Sequence, residues 1–141
     1  MAQDKTIMLS QILEKFQSTS IVKANRLRGL KSQTSKKLAL QQILEDIKKT
    51  DKNLHIIQNL SQIAQLLLKK ISKSSFLYKD LIAMLILEYG YCYPENILKE
   101  LSELFLILPV DPLSIDGMWE ADKPNQYYDI YCPSFVKEVV D

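Results

Sequence analysis

NLSQIAQLLLKKISKSSFLYKDLIAMLILEYG, residues 59–90, is the stretch on which the reading of the fold turns. Its first part, 59–72, sets Leu60, Ile63, Ala64, Leu67, Leu68 and Ile71 at helical spacing on one wide apolar face. Asn59 can cap that helix by accepting a hydrogen bond from a free backbone N–H. SSF at 74–76 is short and reads as extended. From 77 to 90 the chain is apolar nearly all round, which predicts a buried helix ending at Gly90.

Toward the C-terminus, YCY forms a loop and Pro94 suits the first turn of a further helix. That helix, PENILKELSELFLIL, is predicted to run from 94 to 108, because the residue before Pro109 disfavours helical geometry. PLSID (112–116) and the aromatic, alternating QYYDIY (126–131) predict two strands joined through the turn-rich DGMWEADKPN. Pro133 opens a last short helix, SFVKEVV. Three helices closed by a β-hairpin is the winged-helix plan, here assigned to residues 55–141. The expected fold class is mainly α.

Toward the N-terminus, SKKLALQQILEDIKKT (35–50) is an amphipathic helix with Leu40, Ile43, Leu44 and Ile47 on one face. Thr34 or Ser35 can cap it, and Lys48 and Lys49 suit the negative end of its dipole. The helical unit is expected over 35–52. Residues 18–34, with Gly29, Lys23, Arg26, Arg28 and Lys31 and no clean period, read as a basic linker. Ile7, Leu9, Ile12, Leu13 and Phe16 predict a helix in the segment 1–17. The winged helix is thus preceded by one or two extra helices.

The 141 residues suit one compact domain with added elements, and 47% hydrophobic with 25% charged residues is a globular balance. The longest apolar run, residues 81–87, is far short of the ~20 residues that span a bilayer, so no membrane is expected. The first residues lack the apolar core of a signal peptide, which predicts an intracellular protein. Cys92 and Cys132 have no metal or disulfide spacing and read as packing residues. A net charge of +1 hides an asymmetry: residues 1–73 hold 14 Lys or Arg against 5 Asp or Glu, and residues 74–141 hold 4 against 12. The two halves call for different partners.

Little in the chain suggests catalysis. Its three glycines form no phosphate-cradling pattern, and His55 beside apolar residues reads as a partly buried packing residue. Zinc needs three or four converging N or S ligands, which one His and two distant Cys supply poorly. Asp111, Asp116, Glu120 and Asp122 read as a solvated acidic loop. No enzyme activity, cofactor, metal or small-molecule substrate is expected.

A winged helix often sets its third helix in the DNA major groove. Here that helix carries Glu95, Glu100 and Glu103 against Lys99, and the wing loop carries Asp116, Glu120 and Asp122 against Lys123. A phosphate-facing surface should be positive, so this docking is disfavoured. DNA contact, if made, falls to Lys23, Arg26, Arg28, Lys31, Lys36 and Lys37. A winged-helix DNA-binding protein using this basic half is the second reading. Tyr89, Tyr91, Tyr93 and Trp119 either close the end of a helical core or form a protein-contact surface.

The order of pieces resembles a known family. SKKLALQQILEDIKK, LSQIAQLLLKKIS, FLYKDLIAML, ENILKELSELFLILP, PLSI and YYDIY, spanning about residues 36–132, resemble the C-terminal region of the eukaryotic replication licensing factors. These geminin-regulated proteins help load the MCM helicase at origins. Leu108, Pro109, Leu113 and Ser114 match the family's Leu-Pro helix end and Trp-Leu-Ser strand opening; Pro112 stands in place of the tryptophan, and one extra residue intervenes. The resemblance implies a non-catalytic module that binds the C-terminal winged helix of the sixth MCM subunit through Leu40, Ile43, Leu44 and Ile47, with Lys48 and Lys49 at the edge. It also implies a nuclear protein, with the cytoplasm as the other compartment, and a chain that is a piece of a longer one. Packing of the stripe on its own winged helix is the competing expectation.

Overall fold

The computed structural model describes residues 9–90, 93–110 and 129–140. Helical residues 9–13 and a turn at 14–15 lead to α1 (Ser18–Leu27), α2 (Lys36–Asp46), α3 (Thr50–Gln58) and α4 (Gln62–Lys73). There follow β1 (Phe76–Leu77), α5 (Tyr78–Tyr89), α6 (Pro94–Glu103), β2 (Leu108–Val110), β3 (Asp129–Tyr131) and α7 (Ser134–Val140). The fold is mainly helical with a small antiparallel sheet. In that sheet β3 lies between β1 and β2, with Phe76 opposite Ile130 and Leu108 opposite Tyr131. Pro109 therefore sits on an edge strand, where a residue without an N–H is tolerated.

Several expectations need correction. Residues 18–34 are not a linker throughout: Ser18–Leu27 is helical, with Ile21, Ala24 and Asn25 buried, and Arg28 just beyond is buried too. These four recur at helical spacing, but two are polar, so the period is hidden from a hydrophobicity reading. The amphipathic unit over 35–52 is two helices. α2 begins as expected, with the Ser35 side chain accepting from Leu38 N–H, and ends at Asp46; α3 then starts at Thr50 and runs through residue 55, the expected domain boundary. Asn59 does not cap α4 but closes α3, donating to the His55 carbonyl at 2.7 Å, while Ser61 caps α4.

α6 stops at Glu103, well before Pro109. Phe105 adopts a positive φ of 57°, Leu106 N–H donates to the Leu101 carbonyl and Phe105 N–H to that of Ser102. This is a Schellman stop with phenylalanine where glycine is usual. α5 is not buried all round: Leu81 and Leu85 face the core, while Leu87 is 85% exposed. The strand expected at 112–116 and the acidic loop that follows lie outside the described residues, whereas β3 takes the end of the strand expected at 126–131.

α1 and α2 run parallel. Asn25 donates to Gln42 (2.7 Å), Arg28 to Asp46 (2.8 Å), and Lys36 Nζ to the Glu14 carbonyl (2.7 Å), so the contacts advance in the same direction along both segments. Residues 28–35 carry the chain back between them. α1 also packs on α6, and α7 packs on α3 and α4. One apolar cluster joins Leu9, Phe16 and Ile43 to Leu68, Leu101 and Val136, so the N-terminal helices share a core with the C-terminal part.

Candidate functional site

The apolar stripe of α2 faces inward. Leu40, Ile43 and Ile47 are buried in the chain's own core, Ile43 to 1% exposure, and Leu44 is half-buried. Those three are therefore covered by the chain's own core rather than open to a partner, while Leu44 keeps part of its surface exposed. The outward face keeps Lys37, Leu38, Gln41, Glu45, Lys48 and Lys49 exposed.

Arg28, expected to meet DNA, is instead the centre of a buried polar cluster. Its Nε donates to Asp46 Oδ2 at 2.8 Å and its Nη2 to Asn53 Oδ1 at 2.6 Å; both side chains of the ion pair are 1% exposed. Lys52 Nζ adds a second contact to Asp46 at 2.7 Å, and Lys49 lies 3.5 Å from the other oxygen. Asn53 donates onward to the Ile47 carbonyl at 2.7 Å. The cluster ties the end of α1 to the end of α2 and the start of α3. Burial pushes the Asp46 carboxyl up, but hydrogen bonds and charge from Lys52 and Arg28 together outweigh it and hold its pKa below the usual range.

The other basic candidates are not gathered. Lys23 pairs with Glu103 of α6 at 2.7 Å, which neutralises both. Lys36 is held by the Glu14 carbonyl, at the far end of the parallel pair from Arg28. Arg26, Lys31 and Lys37 are exposed, but Lys37 opens α2 whereas Arg26 closes α1. A single basic stripe over these six residues does not form.

α6 presents Glu95, Asn96 and Lys99 to solvent, with Lys99 3.7 Å from Glu103. Its N-terminal half and the N-terminus of α4 enclose an open groove lined by Ser61, Gln62, Ile63, Tyr93, Asn96 and Ile97. Sequence reading noticed Tyr93 but not the groove, because nothing local brings residue 63 to residue 97. His55 is exposed, contrary to expectation, with Nε2 3.3 Å from Asn59 Nδ2. Cys132 is buried, and Cys92 and Tyr91 lie outside the described residues. Among the described residues no group of three or more His, Cys, Asp or Glu could hold a metal ion, and no helix is long and apolar enough to cross a membrane.

Compared with protein-family models, curated proteins and solved structures, the chain gives no match.

Proposed function

We propose that this chain is a non-catalytic winged-helix interaction module of the replication-licensing kind, which binds the sixth MCM subunit through the outer face of α2. The observation that carries the reading is connectivity: α4, β1, α5, α6, β2 and β3 in sequence, with β3 between β1 and β2. This order supports a winged helix built from residues 62–131 and braced by α1, α2 and α3. The sign of α6 favours a protein partner over a DNA groove. Its carboxylates outnumber its cations, and α1 packs against it. The licensing assignment rests on the resemblance over residues 36–132. With the inner stripe of α2 engaged in the core, the contact falls to Leu38, Lys48 and Lys49.

The test is a titration of the chain against the C-terminal domain of the sixth MCM subunit, with duplex DNA in parallel. Saturable helicase binding is expected, weakened about tenfold by Leu38→Asp or Lys48→Glu with the circular dichroism unchanged. Absence of helicase binding, with DNA binding that falls steeply with salt, would replace this reading by that of a DNA-binding protein acting through Arg26, Lys31 and Lys37.

A further inference from the structure

We draw no further inference here: the strongest candidate, the open apolar groove between α4 and α6 lined by Ile63, Tyr93 and Ile97, carries none because nothing in the structure shows what covers it.

Discussion

At the scale of single residues, two side chains are held in conditions they would not choose alone. Asp46 is buried to 1% exposure and depends on Arg28 and Lys52 for its charge. Asp46→Ala leaves the Arg28 guanidinium buried without a counter-ion, which is expected to cost about 3–5 kcal/mol in urea unfolding. A carboxyl whose folded pKa is depressed binds fewer protons in the folded state. Its stabilisation is present above the unfolded value, near 4, and is lost as pH falls through the folded value. The acid limb of a stability–pH curve should therefore flatten in Asp46→Asn. Tyr131 acts at the other end: burial raises its phenol to about 12, so stability declines as pH climbs from about 10 toward that value, and Tyr131→Phe should remove the decline.

Phe105 is the second such residue. A side chain at positive φ costs roughly 1–2 kcal/mol, which glycine avoids. The burial of Phe105 and its edge-on contact with Phe16, at 5.0 Å between centroids and 67° between planes, offset that cost. Phe105→Ala keeps the backbone strain and loses the packing, an expected loss of about 3–5 kcal/mol. Phe105→Gly loses the same packing but relieves the strain. It should be about 1 kcal/mol less destabilised than the alanine variant, the reverse of the usual order in regular structure. Thermal or urea unfolding of the pair checks the inversion.

At the scale of elements, the inward stripe of α2 changes what its variants mean. Ile43→Asp or Ile47→Asp puts a charge into the shared core rather than into a partner interface. A loss above about 4 kcal/mol and a broadened or absent unfolding transition are expected. If either variant folds with normal stability, α2 is not packed as described. The sequence made α4, α7 and the start of α6 legible through period and proline placement, because their inward positions are mostly apolar. It concealed α1 because Asn25 and Arg28 point inward, where a hydrophobicity pattern has no way to place them. α3 was hidden for a related reason: its buried positions are Asn53 and Ile57, too few and too polar to show a period. α5 failed in the other direction. A helix apolar on every side carries no phase, so composition could not say that Leu81 goes in while Leu87 stays out. The groove was invisible because it is made by two helices that meet only in the folded chain.

At the scale of the whole molecule, the question is whether α1, α2 and α3 are attachments or part of the folding unit. Phe16 packs on Phe105, which ends α6, and Lys23 reaches Glu103 on the same helix. α7, the last element, packs on both α3 and α4, so the chain's end closes over its N-terminal half as well. A chain starting at Ser61 would keep the strands and the three helices expected of a winged helix, yet would uncover Phe105 and the α3-facing side of α7. Isolated from their cover, these surfaces are apolar and the remaining core is small, which makes independent stability marginal. Residues 61–141 alone are expected to keep helical far-ultraviolet dichroism while losing near-ultraviolet signal and binding a hydrophobic dye. The full chain, by contrast, should unfold in one transition seen identically by both signals. A truncated chain that unfolds cooperatively at the temperature of the full one would show that the core divides at Ser61, and that the N-terminal helices are a separable arm after all.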